Sequence, residues 1–173
     1  MKDLSFRIID EKDLPIILDI YNYYILTTTA TFHLKPVSME NLKGFIFLNH
    51  PVYKTYMIYH KNKIAGFCFL TQYKNLKAYD RTVEIGIYLK PEFIHRGLGT
   101  ESVKYLEQVA EKSGFKTVIA SISGENTVSI KLFRNLGYSE CGHFKRVGEK
   151  FDRVIDVIYF QKSLESLPFP NKT

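Results

Sequence analysis

The sequence predicts a mixed α/β fold in a single domain, and three observations support that prediction. The chain has 173 residues, close to the usual size of one domain, about 150 residues. A composition of 45% hydrophobic and 24% charged residues is typical of a globular protein and excludes a disordered one. Segments with the period of a strand and of a helix alternate in the order βα(α)βββαβαββ, which favours helices layered on a sheet. We expect this domain to span residues 1–164 and a frayed polar tail to occupy residues 165–173.

The first third of the chain predicts one strand and two helices. Residues 4–9 alternate between apolar and polar side chains, as the residues of a half-buried strand do. Asp10 is a candidate cap for the first helix, with Asp13 at the reciprocal position of a capping box, and helical spacing continues to about Leu26. A β-branched, polar loop follows, and the second, shorter helix begins at Ser38.

The rest of the chain predicts a hairpin, a third strand, and then an alternation of helices and strands. A polar turn joins the two strands of the hairpin, Lys90 and Pro91 end the third strand, and Gly137 stops the last helix. In chain order the segments are the strands 53–59, 64–71 and 81–89, the helix 98–112, the strand 117–122, the helix 125–136, and the strands 138–146 and 154–160.

Charge and cysteine content limit the possible functions without identifying one. A formal net charge of +6 suits a polyanionic small molecule, a nucleic acid or a membrane surface. The lysines are scattered and no nucleic-acid-binding signature is present, and no segment is long and apolar enough to be a transmembrane helix or a signal peptide. Cys68 and Cys141 are too few for a disulfide scaffold or a multi-cysteine zinc site. We therefore expect a cytoplasmic protein with no metal, no nucleic acid and no membrane partner.

A basic loop with two glycines, within residues 87–100, is the sharpest local feature. A strand ends, the loop carries Arg96, Gly97 and Gly99, and a helix begins. Free backbone N–H groups and the helix dipole at such a helix start suit a pyrophosphate. The patterns G-x-x-x-x-G-K-[ST] and G-x-G-x-x-G are both missing. On spacing alone, an anion site and a glycine-rich turn with a solvated arginine are equally good interpretations.

Two motifs make the chain resemble the GNAT N-acetyltransferases. The R-G-x-G-x at residues 96–100 is similar to the acyl-CoA pyrophosphate loop of that family, and residues 126–138 are similar to its second signature. The phosphinothricin acetyltransferase-like branch is similar in four further segments, residues 20–22, 28–32, 79–84 and 148–156. The resemblance covers nearly the whole chain and implies the acyl-CoA N-acyltransferase fold, with a mixed, mostly antiparallel central sheet and helices on both faces.

This resemblance also implies a reaction. An acetyl group passes from acetyl-CoA to the primary amine of a small amino acid or analogue, of the phosphinothricin, methionine sulfone or methionine sulfoximine type. The amine attacks directly in a ternary complex, so neither a cysteine nucleophile nor a metal is needed. The family analogy further implies a homodimer, which is an associational argument.

Glu84 matches the general base of the branch. It lies in the middle of an apolar strand, where a buried charge is costly unless it serves a function. The alternative is a glutamate that faces outward on a half-solvated strand; with the motif match we favour the base. Gly86, two residues later, marks either a β-bulge or a close approach of the ligand.

The resemblance implies two further sets of site residues. The acyl-CoA set, which acts mainly through backbone groups, is Ile87, Tyr88, Leu89, His95, Arg96, Gly97, Leu98, Gly99, Thr100, Asn126 and Ser129. The acceptor set is Thr31, Phe32, Tyr79, Thr82 and Lys150. Lys74 joins it on other grounds, because it is a cation that flanks the strand of Glu84 and suits the carboxylate of an amino acid. For Asn126 the alternative is a helix cap alone, and Lys150 could serve its own or a neighbouring subunit.

Several residues depart from the family pattern and keep alternatives open. Glu101 stands where the pyrophosphate loop normally has glycine or alanine, and Phe133, which has no proton to give, stands where many members have tyrosine. Val154 takes the place of a common tryptophan, and His33 and Lys35 replace residues that are commonly acidic. The alternatives are a GNAT enzyme that acetylates a protein N-terminus or lysine, and a weakly active CoA-binding module.

Overall fold

The computed structural model of the protein describes residues 3–165, so the expected tail lies outside the described residues except for its first position. The order of elements agrees with the sequence prediction. In chain order they are β1 (Leu4–Ile8), α1 (Leu14–Thr27), α2 (Met39–Lys43), β2 (Thr55–His60), β3 (Lys63–Gln72), β4 (Thr82–Leu89), α3 (Leu98–Lys112), β5 (Thr117–Ser123), α4 (Thr127–Asn135), β6 (Ser139–Lys150) and β7 (Arg153–Ser163).

Local capping explains where the first helices begin. The Asp10 side chain accepts from the backbone of Lys12, and the Asp13 carboxylate accepts from the backbone N–H of Asp10 at 2.8 Å. This capping box opens a short 3-10 turn that leads directly into α1. The hydroxyl of Ser38 accepts from the backbone N–H of Asn41 at 3.2 Å and starts α2, as predicted.

The seven strands form one sheet in the order β1-β2-β3-β4-β5-β7-β6. Only β4 and β5 run parallel among these neighbours; the other pairs are antiparallel. The expected mixed, mostly antiparallel sheet is therefore confirmed. The last hairpin is longer than the sequence indicated, because residues 147–150, which extend β6 beyond Arg146, carry no regular alternation of apolar and polar side chains.

Helices cover both faces of the sheet, as expected. On β3, Cys68 and Leu70 pack toward α3 and α4, whereas Phe67 and Phe69 pack toward α1 and α2. This alternation follows from the two-residue period of a strand. Among residues 3–165, no helix combines the length and the apolar character needed to cross a membrane.

The parallel pair in the middle of the sheet is short. β4 and β5 are paired from Thr82 opposite Thr117 to Glu84 opposite Ile119. Both strands continue beyond this point, β4 to Leu89 and β5 to Ser123, but without pairing to each other. The separation leaves one edge of β4 free and creates a gap in the centre of the sheet.

Candidate active site

A cleft of about 890 Å³ opens where β4 and β5 separate. Its walls come from residues 85–89 of β4, residues 120–122 of β5, the starts of α3 and α4, and residues 28–30 after α1. This volume is in the range of small-molecule sites, about 300–1,000 Å³. The gap in the sheet and this cleft are thus the same feature.

The glycine loop and the start of α3 form one end of this cleft. Gly97 has a φ of +76°, a left-handed conformation that glycine adopts without steric cost. The N–H groups of the first helical turn have no partner within the helix, and Gly97, Gly99 and Thr100 line the cleft beside them. Gly99 also lets α3 approach α4, because a Cβ there would lie 3.3 Å from Leu132. This end of the cleft suits an anion.

Most residues of the predicted acyl-CoA set come together in the cleft. Those that line it are Ile87, Tyr88, Leu89, His95, Gly97, Gly99, Thr100, Asn126 and Ser129. Two do not line it: the side chain of Leu98 is fully buried in the core, and the Arg96 guanidinium lies 5.5 Å from the Phe93 ring. Of these two, Leu98 can contribute only through its backbone.

Asn126 both caps α4 and lines the cleft, so its position is compatible with both of the roles considered for it. Its side-chain oxygen accepts from the backbone N–H of Ser129 at 3.1 Å and caps α4. Both residues also line the cleft. The cap therefore fixes Asn126 at the cleft wall.

Glu84 is the last residue of β4 that is paired with β5. Its neighbours across the sheet are Thr71 on β3 and Ile119 on β5, neither of which carries a charge. The side chain is half-buried on the face of α1 and α2, and burial raises the pKa of Glu84 to about 6. Glu84 itself does not line the cleft, whose wall on β4 begins at the next residue, Ile85.

Gly86 does not mark a β-bulge. The register of β3 with β4 runs without interruption through the pair of Phe69 and Gly86, so the bulge alternative is wrong. Gly86 does line the cleft.

Lys150 and Thr31, both from the acceptor set, are buried and form a hydrogen bond with each other. Lys150 is 3% exposed and donates from Nζ to the Thr31 carbonyl oxygen at 2.9 Å. Burial lowers the pKa of Lys150. The Tyr21 hydroxyl lies 2.9 Å from the Thr31 hydroxyl and 2.9 Å from Nδ1 of His33. This cluster shares a sheet face with Glu84, because the Tyr21 ring packs edge-on against Tyr88 at 5.1 Å.

The other members of the acceptor set are spread over the surface. Phe32 and Tyr79 are exposed, and Tyr79 packs edge-on against Tyr73. The ammonium of Lys74 lies 5.6 Å from the same Tyr73 ring, and Thr82 is paired with Thr117 in the sheet. None of the six predicted acceptor residues lines the cleft described above.

Two features of the cleft wall were missed by the sequence analysis. The Tyr24 hydroxyl donates to the carbonyl oxygen of Leu89 at 2.6 Å, and Tyr24 lines the cleft. Glu125 accepts from the Thr29 hydroxyl at 3.1 Å and lies 3.4 Å from Nη2 of Arg153. The only sequence signal for Tyr24 was its helical spacing from Tyr21, since residues three apart share a helix face. Nothing local connects Thr29 with Glu125.

Local contacts account for some of the residues that depart from the family pattern. The Glu101 carboxylate lies 3.3 Å from Nζ of Lys104, one turn further into α3, so the pair offsets the negative charge. Phe133 lines the cleft and packs edge-on against Tyr138 at 4.9 Å. It places an apolar ring at the position where the family resemblance implies a proton donor. Val154 is exposed.

Comparison with known proteins identifies the family. Residues 6–159 match the family described as "Acetyltransferase (GNAT) domain". The chain is 30% identical to a phosphinothricin N-acetyltransferase of Streptomyces viridochromogenes, over 98% of this chain and 92% of the relative. It is 26% identical to an L-methionine sulfoximine/L-methionine sulfone acetyltransferase of Salmonella typhimurium, over 97% and 99% of the two chains. A phosphinothricin acetyltransferase of Sinorhizobium meliloti, solved in complex with acetyl-CoA, superposes with a TM-score of 0.85 at 26% identity, covering 99% and 94% of the two chains. The chain therefore belongs to the GNAT family of acetyl-CoA-dependent N-acetyltransferases.

Proposed function

We propose that this protein transfers the acetyl group of acetyl-CoA to the primary amine of a small amino acid or analogue, of the phosphinothricin, methionine sulfone or methionine sulfoximine type. The observation that carries the proposal is the position of Glu84: a half-buried carboxyl at the point where β4 leaves β5, beside a cleft of suitable size. The activities named for the relatives support the choice of acceptor.

The cleft is suited to an acyl-CoA along its whole length. Acetyl-CoA supplies an activated acetyl thioester. Residues 87–89 of β4 offer backbone groups to an extended amide chain, much as a strand edge binds a peptide. The free N–H groups at the start of α3 hold a pyrophosphate. The net charge of +6 favours an anionic ligand.

Glu84 serves as the general base. A protonated amine cannot attack a thioester, so a group near the cleft must accept a proton. A carboxyl with a pKa of about 6 is mostly ionised at pH 7 and is still a better base than an ordinary glutamate. Direct attack by the amine leaves no role for Cys68, which is buried, or for Cys141, which lies outside the cleft lining.

Lys150 orients the acceptor through its carboxylate. An ammonium has three N–H donors, and the Thr31 carbonyl takes one of them. A buried ammonium with donors to spare gains a charge-assisted hydrogen bond from a carboxylate ligand. Thr31 holds Lys150 in place, which is how the two residues act together.

We also propose that one domain, residues 1–164, works as a homodimer in the cytoplasm. Phe144, Val147, Phe151 and Val154 are exposed on the β6–β7 hairpin, and a cluster of exposed apolar residues is typical of an interface. Both cysteines are free thiols, as a reducing compartment allows. A molar mass of about 40 kDa in light scattering, which falls to 20 kDa in Val147→Lys, would support the dimer; 20 kDa for the wild type would contradict it.

The experiment that tests the reaction is thiol release from acetyl-CoA with a panel of L-amino acids, methionine sulfone, methionine sulfoximine and phosphinothricin. Wild type is compared with Glu84→Gln, and with Glu92→Gln as a control at an exposed acid. We expect turnover that collapses only in Glu84→Gln, with acetyl-CoA binding retained in calorimetry. Binding without turnover on any small amine would favour a protein acceptor or a non-catalytic module. Absence of acetyl-CoA binding would contradict the proposal.

A further inference from the structure

Phe69 occupies the space that a side chain at position 86 would fill. The two residues lie directly opposite each other on β3 and β4. A Cβ on Gly86 would lie 2.3 Å from Cζ and 2.6 Å from Cε1 of the Phe69 ring. Such distances are far inside van der Waals contact, so no other residue fits at position 86 unless the ring moves. The glycine is there to admit the ring.

This ring lies beside Glu84. Glu84, Gly86 and Tyr88 share one face of β4, because side chains alternate along a strand. A residue diagonally across two antiparallel strands is within reach of an aromatic side chain, and Phe69 is the diagonal neighbour of Glu84. No side chain at position 86 separates the ring from this diagonal position.

An aromatic stack supports the ring in this position. Phe69 stacks on Phe67 at 6.1 Å and 15°, and on Tyr88 at 6.3 Å and 12°. Phe69 is 8% exposed and Phe67 is fully buried. The stack is therefore a largely buried aromatic wall on the face of β4 that carries Glu84.

We propose that Phe69 is a positioning residue for Glu84: its ring, admitted by Gly86, excludes water from the β3 side of the carboxyl. The inference rests on the proposed role of Glu84 as the base. It accounts for why Gly86 is required although the strand register there is regular.

The electrostatics of the site agree with this role. Burial is the cause that raises the pKa of Glu84 to about 6, and the cross-strand neighbours Thr71 and Ile119 are uncharged. On β4 itself the titratable group on this face is Tyr88; burial first, then Tyr21 and last Glu84, raise its pKa well above the usual value. Tyr21, His33 and Lys150 are the titratable groups of the cluster on the same sheet face. Removing the ring would let water reach the carboxylate, which favours the charged form.

The test is a direct titration of the Glu84 carboxyl in the full-length protein. Glutamate side chains are labelled with ¹³C at the carboxyl carbon, and the Glu84 signal is assigned by its loss in Glu84→Gln. In Phe69→Ala we expect the pKa of Glu84 to fall by about one pH unit toward its usual value. The acidic limb of the kcat/KM profile should move by the same amount.

Two further variants keep the test decisive. Phe69→Leu retains apolar volume and should give a smaller shift in the same direction, and it serves if Phe69→Ala does not fold. Phe67→Ala removes a ring from the same stack, but opposite Tyr88 and not opposite Gly86. It should lower stability without moving the pKa of Glu84.

A second measurement tests the contact itself. Gly86→Ala should lower the melting temperature and kcat/KM in the wild type, because the added Cβ displaces the ring. In a Phe69→Ala background the same substitution should cost no further stability, since the space is then vacant. Equal losses in both backgrounds would overturn the proposed pairing of ring and glycine.

The outcomes separate this inference from the proposed reaction. A Glu84 pKa that stays near 6 in folded Phe69→Ala and Phe69→Leu would overturn the role of Phe69. A pKa that falls as expected, combined with full turnover in Glu84→Gln, would support the role of Phe69 at the carboxyl and overturn Glu84 as the base.

Discussion

The cleft and the neighbouring region around Glu84 differ in what they present to a ligand. The cleft wall proposed as the cofactor side, formed by residues 87–89 of β4 and the first turn of α3, presents backbone groups and glycines. The proposed acceptor side, the surroundings of Glu84, Thr31 and Lys150, lies outside the cleft lining and presents buried or half-buried ionisable and aromatic side chains. The first depends on the course of the backbone. The second depends on which side chains are brought together from distant parts of the chain.

This difference determines how each side should respond to substitution. A backbone site tolerates most changes of side chain and fails where a change distorts the chain, as at a glycine with positive φ. A side-chain site loses function when a single charged group is removed, even where the fold survives. Variants of the two sides should therefore separate into different kinetic and thermodynamic classes.

The largest effect is expected at Glu84. Glu84→Gln should lower kcat by about 10²–10⁴-fold, the usual contribution of a general base, and leave the affinity for acetyl-CoA unchanged. In the wild type, kcat/KM should rise with pH through about 6, as the carboxyl with that pKa loses its proton. Steady-state kinetics over pH 5–8 and calorimetry would measure both; a loss of acetyl-CoA affinity in the variant would break the distinction between the two sides.

The next effect is expected at Lys150. Lys150→Met keeps the length of the side chain and removes the charge, so the KM for an amino-acid acceptor should rise about 10–100-fold, which corresponds to one hydrogen bond to a charged group. The Kd for acetyl-CoA should not change. Lys162→Met is the matched control, because Lys162 pairs with Glu107 and the Leu136 carbonyl, away from the cleft. An equal rise in KM in the control would show that Lys150 acts only on stability.

A smaller effect is expected on stability. The folded-state pKa of Glu84, about 6, is above the ordinary value of a glutamate side chain, 4.5, so the folded protein favours the protonated carboxyl. The free energy of unfolding should fall by about 2 kcal/mol as the pH rises from about 4.5 to above 6. Glu84→Gln should lack this decrease and should therefore be more stable than the wild type at pH 8. Urea unfolding at pH 4 and pH 8 checks the sign; a wild type that gains more stability than the variant over this interval would contradict it.

The smallest effect is expected at Gly97. Gly97→Ala forces a residue with a Cβ into a φ of +76°, which costs about 1 kcal/mol of stability, and we expect acetyl-CoA affinity to fall several-fold. Gly137→Ala imposes the same strain at a φ of +82°, with no atom within 4 Å of the new Cβ. It should lose the same stability and no affinity. Equal affinities in the two variants would show that the cofactor side does not depend on the backbone at Gly97.

The same contrast explains how much the sequence could predict. The order of elements followed from periodicity and caps, as at Asp10 and Ser38, because those signals lie within a few residues of each other. The glycine loop was likewise readable, since Gly97 and Gly99 are near neighbours in the chain. The cofactor side was therefore largely predictable.

The acceptor side was not predictable to the same degree. The pairing of Phe69 with Gly86 depends on the register of two strands, and the contact of Lys150 with Thr31 spans most of the chain. Tyr79 was assigned to the same site from motif position, and Lys74 because it is a cation that flanks the strand of Glu84. The structure places both on an exposed loop around Tyr73. Long-range contacts of this kind leave no local pattern in the sequence.

The short pairing of β4 with β5 has a consequence for the dynamics of the protein. The sheet consists of two antiparallel halves, β1–β4 and β5–β7. The strand pairing that joins the two halves involves only Thr82–Glu84 of β4 and their partners on β5. A ligand bound in the gap beyond Glu84 would contact both halves and hold them together. Its binding free energy would add to the stability of the fold in proportion to the logarithm of its concentration. Amide hydrogens of residues 85–89 and 120–123 should then exchange with deuterium much more slowly when acetyl-CoA is bound.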